Sequence, residues 1–497
     1  MLFNSYEFIL VFLPLTWLGF YAVAKLSPRA AAAWLAAASL LFYAWWNPKF
    51  VALLVLSVAF NYAMGRQISL AHGHGRSRLL TAAVTTNLAV LGVFKYANFF
   101  LHSVGDATGL AMPGLDIVLP LGISFFTFTQ IAFLVDVHRG IAQEYRWIHY
   151  ALFVTYFPHL IAGPVLHHKQ MMPQFASASI YRPQAANVAI GLTIFVIGLA
   201  KKVLLADRFS PYASGLFTAV GGGVQPELFG AWLGVLAYTL QLYFDFSGYS
   251  DMAVGLSLLF GVRLPLNFNS PYKAANIIDF WRRWHMTLSM FLRDYLYIPL
   301  GGNRLGPVRR YLNLFLTMLL GGLWHGANWT YVVWGGLHGA YLIVNHAWQA
   351  LCERAGWTAP AGAGGTAVRL LGHALTFFAV VAGWVFFRSE DFASAVTILS
   401  AMAGLCGASP AQAATLIPAL AGQFQGWMLI AAGLAIVWCA PNTQEWVRAA
   451  RNGEPETPED GRQHWRPTLA VGVAVGIVFA LCFMSLNRTS EFLYFQF

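Results

Sequence analysis

Two histidines in apolar surroundings are the residues whose chemistry stands out. His325 sits in YLNLFLTMLLGGLWHGANWTYVVWGGLHG (311–339), flanked by Trp324 and Gly326, with Gly321 and Gly322 just upstream. An ionisable side chain at membrane depth costs about 2.5 kcal/mol or more if charged, so one that persists there marks a functional site. Burial lowers a histidine's proton affinity and keeps the ring neutral, able to accept a proton. His325 therefore reads as a catalytic base inside the bilayer. Glycines on both sides permit close backbone approach around it. The competing reading is a histidine hydrogen-bonded within a helix bundle.

His285 lies 40 residues earlier, in FWRRWHMTLSMFLRDYLYIPLGGNR. Trp281, Trp284, His285, Leu288, Leu292 and Tyr295 recur at helical steps, so this stretch also fits an interfacial aromatic helix with a stacking histidine. The two histidines can converge, one as base and one positioning or polarising a carbonyl. A metal would need a third ligand. Asp245 and Asp251 are available, but no spacing demands them, and no metal is expected. His72 and His74 (AHGHGR) read as a solvated basic turn. The adjacent His167 and His168 cannot share one helix face and suit a loop beside a cavity.

These residues must be held by membrane-spanning helices. The chain has 497 residues, 58% hydrophobic and only 10% charged, against about 25% charged in soluble domains. It reads as an all-α polytopic membrane protein. The formal charge of +10 is no nucleic-acid footprint, because Lys and Arg lie mostly between apolar runs, where they fix orientation. The four cysteines form no CxxC pair and indicate neither a zinc ribbon nor a disulfide framework. Phe8 to Ala24 reads as a retained span, not a cleaved leader.

Apolar runs fall near 6–24, 30–46, 49–64, 79–97, 117–136, 148–163, 187–206, 228–247, 250–262, 311–324, 327–348, 367–388, 393–405, 425–440 and 468–486. A full crossing needs about 20 residues, so the expectation is about 11 crossings plus re-entrant or interfacial pieces. Lys25, Arg29, Arg66, Arg76, Arg78, Arg139 and Arg146 fall in alternate connections, which places the N-terminus away from the cytoplasm. Arg448, Arg451, Arg462 and Arg466 make loop 441–467 cytoplasmic, so the tail SLNRTSEFLYFQF returns to the outer side. The chain reads as one integral domain, 1–497, with N-terminal spans (1–147), a catalytic core (148–348) and C-terminal spans (349–497).

The core is interrupted by polar pieces. FPHLIAGPVLHHKQMMPQF (157–175) starts apolar and ends polar. YFDFSGYSDMAVG (243–255) places Asp245, Ser247, Tyr249 and Asp251 between two apolar runs. Polar or non-helical backbone at membrane depth is tolerated where it is buried in protein or lines a wet cavity, so this third of the chain is expected to build one. Those four residues, with Trp284, Trp324 and Asn328, are candidates to line a substrate path. Arg282 and Arg283 either snorkel to the interface or hold an anionic donor such as a CoA phosphate.

The runs FDFSGYSDMAVG, LNFNSPY…FWRRWHMTLS…YLYIPLGGNR and LLGGLWHGANWTYVVWGGLHG resemble the membrane-bound O-acyltransferase (MBOAT) family, in its alginate O-acetylation branch with cellulose and peptidoglycan relatives. LFNSYEFILVFLP, FYAWWNP, FKYANFF, LPLGISFFTFTQIAFLVDVHRG and HLIAGPVLHH fit the same branch. The resemblance covers most of 1–390. It implies a ring of tilted helices around a central tunnel, with His325 as the catalytic residue and His285 as the second signature position. It also implies acetyl-CoA as a cytoplasmic donor, no permanently bound cofactor, a bacterial inner-membrane location, and transfer to an exported polysaccharide of the alginate or cellulose type. A periplasmic SGNH-type partner or another polysaccharide-modification protein would complete that transfer. His167-His168 depart from the Arg expected after the AGPV motif.

Two other functions fit the residues. A transporter or channel would use broken helices and intramembrane charges, but the chain has no half-and-half symmetry. A lipid-directed acyltransferase would share the histidines, but the alginate-type motifs favour acetyl transfer.

Overall fold

The structure is a computed structural model describing residues 1–497 apart from 143–145, 359, 361, 406–422, 448–466, 487–492 and 494–497. The basic loop residues Arg448, Arg451, Arg462 and Arg466, and most of the tail, lie outside the described residues. All regular structure among the described residues is helical. The chain is a multi-pass membrane protein. Glu7–Ala24, Lys49–Leu70, Gly73–Thr108, Ala185–Gly221 and Ala363–Arg388 are long and apolar enough to cross a bilayer, and shorter apolar helices accompany them.

The principal helices in chain order are α1 (Leu13–Ala24), α2 (Pro28–Ala44), α3 (Lys49–Leu70), α4 (Gly73–Leu91), α5 (Ile123–His138), α6 (Trp147–Thr155), α7 (Ala185–Ala200), α8 (Leu228–Leu259), α9 (Ile277–Trp281), α10 (Met286–Leu292), α11 (Gly306–His325), α12 (Trp329–Arg354), α13 (Ala363–Arg388) and α14 (Leu469–Met484). Their starts follow ordinary capping chemistry. Ser27 accepts from Ala30 N–H ahead of Pro28, the first residue of α2. Asn276 accepts from Asp279 N–H at α9, and Asn328 accepts from Thr330 N–H at α12.

Several expected boundaries move. The polar run 243–255 does not break the chain: α8 is one 32-residue helix where two spans were expected. A helix satisfies its own backbone hydrogen bonds, so polar side chains need only side-chain partners to stay helical. The expected span 148–163 is instead α6 followed by the single turn Phe157–Leu160, with Pro158 in that turn. Gly122, in the left-handed conformation (φ 71°), starts α5 later than the apolar run does. The expected loop around His72 and His74 is shorter than anticipated, because α4 begins at Gly73 and takes in His74.

The chain divides into two compact units. The first comprises Met1–Ala200, Gly248–Leu266 and Thr443–Thr489. Phe3, Phe8, Phe12, Phe42 and Phe157 form its aromatic core, with centroid separations of 5.1 Å for Phe3–Phe8 and 5.4 Å for Phe12–Phe157. α7 meets the end of α8 through small residues: a Cβ on Gly255 would lie 2.5 Å from the Gly191 carbonyl oxygen, and one on Gly198 2.5 Å from that of Gly248. Close backbone approach of this kind is how helices associate where lipid removes the hydrophobic drive.

The second unit comprises Lys201–Ser247, Asn267–Asn442 and Ser490–Phe497. α11 and α12 form a glycine-lined hairpin within it. A Cβ on Gly335 would lie 2.5 Å from the Met318 carbonyl oxygen and 3.1 Å from Gly322 Cα, while one on Gly322 would collide with the Tyr331 carbonyl oxygen. Trp334 of α12 is buried together with Trp284, Trp384 and Phe280.

Candidate active site

His325 is the last residue of α11. Gly326 turns to extended backbone (φ −157°, ψ 150°), and α12 starts at Trp329. A side chain on Gly326 would strike the Tyr331 ring. The three-residue break thus needs its glycine, and it leaves the imidazole at the tip of the hairpin. His325 is 5% exposed. Trp324, Phe387 and Trp334 surround it, with ring centroids at 4.9, 5.1 and 5.2 Å.

His285 comes from a different element and is fully buried. It precedes α10 with φ 44° and ψ 52°, a left-handed conformation for a non-glycine residue. Such backbone costs about 1–3 kcal/mol and persists only where surrounding structure fixes it. Here a backbone clasp does so: Asn269 N–H donates to the Arg283 carbonyl and Met286 N–H to the Asn267 carbonyl, each at 2.9 Å. The His285 ring lies 4.8 Å from Phe246 and 6.2 Å from Trp324. It is 6.4 Å from the His325 ring, centroid to centroid. That separation exceeds a direct hydrogen bond between ring nitrogens. Its Nδ1 is 3.0 Å from Asn267 Oδ1. Burial holds the His285 imidazole well below its ordinary pKa, down to about 3, so it is neutral at physiological pH.

The structure brings His285, Trp324 and His325 together. Trp284 stands one layer away, stacked on Phe280 at 5.7 Å and packed on Trp384 at 4.9 Å. Other candidates have different partners. Asp245 forms a buried ion pair with Lys202 at 2.7 Å, and Lys202 also reaches Asp207 at 2.8 Å. Asn328 caps α12 and donates to the Glu390 carbonyl at 2.7 Å. Arg283 pairs with Asp279 at 2.8 Å, and Arg282 is exposed. Ser247 is buried on α8. Tyr249 and Asp251 belong to the first unit, where Tyr249 stacks on Phe3 at 4.8 Å and Asp251 accepts from the Thr443 hydroxyl at 2.6 Å. His168, also in the first unit, is buried with Nδ1 3.0 Å from Asp136.

Residues that the sequence reading did not single out complete the surroundings. Asn267, within the LNFNSPY motif, contacts His285 directly. His338 is fully buried and packs on Trp334 at 4.8 Å. Trp281 Nε1–H donates to His338 Nδ1 at 3.3 Å. An indole nitrogen can only donate, so a neutral His338 carries its proton on Nε2, which faces Gly383. Helical periodicity marked Trp281, but no spacing signal links residues 57 positions apart.

Residues 40–370 match the family model described as MBOAT, membrane-bound O-acyltransferase family. The chain is 42% identical to a peptidoglycan O-acetyltransferase of Helicobacter pylori, over 82% of this chain and 81% of that protein. It is 40% identical to a probable alginate O-acetylase AlgI of Azotobacter vinelandii, over the full length of both. It is 27% identical to a teichoic acid D-alanyltransferase of Bacillus subtilis, over 56% of this chain and 71% of that one. The matched region contains both converging histidines and the helices that carry them. This chain is an O-acyltransferase and belongs to the membrane-bound O-acyltransferase family.

Proposed function

We propose that this protein moves acetyl groups from cytoplasmic acetyl-CoA for O-acetylation of an exported polysaccharide, with His325 as general base. The observation that carries this reading is the meeting of two buried histidines from separate elements, 6.4 Å apart, in an aromatic enclosure. The relatives that bear acetyltransferase names support the acyl group and the polymer class.

In the reaction, a lone pair on His325 accepts the proton of the acceptor hydroxyl. The hydroxyl oxygen attacks the thioester carbonyl, the C–S bond breaks, and the CoA sulfur leaves and takes up that proton. An ester and free CoA result, with no net proton consumed. The aromatic walls exclude water, which would otherwise hydrolyse the thioester. His285 assists from the other side. The alternating basic loops support an inner-membrane orientation with the N-terminus on the periplasmic side. The acceptor is then the polymer itself or a hydroxyl of a periplasmic SGNH-type partner.

The test uses membranes carrying the full chain, labelled acetyl-CoA and the polymer-modifying partner proteins. His325→Ala is expected to reach the membrane at normal levels and lose acetyl transfer by about 10²–10⁴-fold, the usual contribution of a positioned base. Undiminished transfer would remove His325 from the mechanism. Equal transfer from a long-chain acyl-CoA would point instead to a lipid-directed enzyme.

A further inference from the structure

Asn267 Oδ1 is the meeting point of three polar groups. The Thr287 backbone N–H reaches it at 3.4 Å, the Thr287 hydroxyl at 3.0 Å and His285 Nδ1 at 3.0 Å. A backbone N–H can only donate, so the amide atom facing Thr287 is the oxygen and not the nitrogen. An amide oxygen can only accept, so His285 Nδ1 must carry a hydrogen. In a neutral imidazole with Nδ1 protonated, Nε2 is a bare lone pair. His285 Nε2 is buried and has no hydrogen-bond partner among the described residues. Asn267 is itself fixed, because its own carbonyl accepts from Met286 N–H.

We propose that Asn267 is a positioning residue that locks neutral His285 in the Nδ1–H tautomer, so that His285 offers Nε2 only as a hydrogen-bond acceptor and not as a donor to the substrate carbonyl. This rests on the site reading above and specifies its second histidine. A ring so held cannot polarise the thioester carbonyl through Nε2. The acceptor hydroxyl has one hydrogen, which His325 takes and the departing CoA sulfur receives, so His285 Nε2 serves only as a hydrogen-bond acceptor for another donor of the bound substrate. The left-handed backbone at His285 is the cost of presenting the ring edge to Asn267.

The test is nitrogen NMR of the full-length protein in lipid bilayers, with ¹⁵N-labelled histidine and the His285 signals assigned by their loss in His285→Gln. The wild type is expected to show protonated Nδ1 and unprotonated Nε2. Asn267→Ala should release the lock and give Nε2–H or a mixture. Asn267→Asp retains an acceptor oxygen and should keep Nδ1–H. Transfer by Asn267→Ala should fall about tenfold or more in kcat, with a smaller change in KM for acetyl-CoA, and Asn267→Asp should recover part of it. Protonated Nε2 in the wild type would overturn the proposal, as would an unchanged tautomer in Asn267→Ala. Should Asn267→Ala not fold, the wild-type and Asn267→Asp spectra still decide. The spectra do not depend on turnover, so an active His325→Ala would sink the site reading without touching this result.

Discussion

At the scale of single residues, the site separates charge from depth. Both histidines are buried, and the neighbours that the structure shows around them are aromatic rings, an amide and a hydroxyl. The low pKa of His285 has consequences for both turnover and stability. Its folded value, about 3, lies below the ordinary histidine value of about 6.5. The unfolded chain therefore binds the proton more readily, and the stability tied to a neutral His285 is present above about pH 6.5 and falls as pH drops from there toward 3. Thermal unfolding in detergent between pH 7 and 4.5 should show a steeper acid loss in the wild type than in His285→Asn. Parallel curves would contradict the assignment. Between pH 5 and 9 His285 does not change charge, so any limb of the rate profile there belongs to another group.

At the scale of elements, the hairpin of α11 and α12 sets where His325 lies. Gly335 and Gly322 allow backbones to touch, and a methyl group at either position forces the helices apart. Gly335→Ala should cost about 1–3 kcal/mol, as overpacking does, and should lower transfer by moving the hairpin tip. Stability and kcat measured together test this, and an unchanged protein would show that the crossing has slack. Much of this hairpin was legible in the sequence, because the glycine pairs, the Leu-rich run and His325 all fall within 29 residues. The position of His285 was only half legible. The expected helical run from Trp281 to Tyr295 is interrupted: Trp281 ends α9, Trp284 and His285 lie in the turn, and only Leu288 and Leu292 fall in α10. The left-handed turn comes from a backbone clasp to Asn267 and Asn269, and no periodicity encodes a clasp. The polar run 243–255 misled for another reason. Composition registers Asp245 as a helix breaker in lipid, whereas tertiary structure supplies Lys202 as its counter-ion.

At the scale of the whole molecule, the buried Lys202 and Asp245 neutralise each other. Lys202 is 2% exposed and Asp245 is 1% exposed. Removing one partner of such a pair usually costs about 3–5 kcal/mol, while replacing both with apolar residues is often neutral. Lys202→Met should therefore lower thermal stability strongly, and Lys202→Met combined with Asp245→Leu should recover part of the loss, the remainder reflecting the contact of Lys202 with Asp207. If the double variant is no better than the single, the pair serves something other than its own neutralisation. Leu493 N–H also donates to Asp245 Oδ2 at 3.3 Å, so the double variant removes that contact too and measures its weight.

The uninterrupted α8 has a further meaning. Thirty-two residues at about 1.5 Å each give a rod of about 48 Å, whereas the hydrocarbon layer is about 30 Å thick. An ordinary spanning segment of that length would have to lean, or deform the lipid around it, and would respond to the thickness of the host membrane. From Gly230 to Leu259 nearly every residue of this rod is buried by the protein itself, so acyl chains have almost no grip on it. The polypeptide, not the bilayer, sets how this segment runs, and fatty-acid chain length becomes a variable to which its geometry is indifferent.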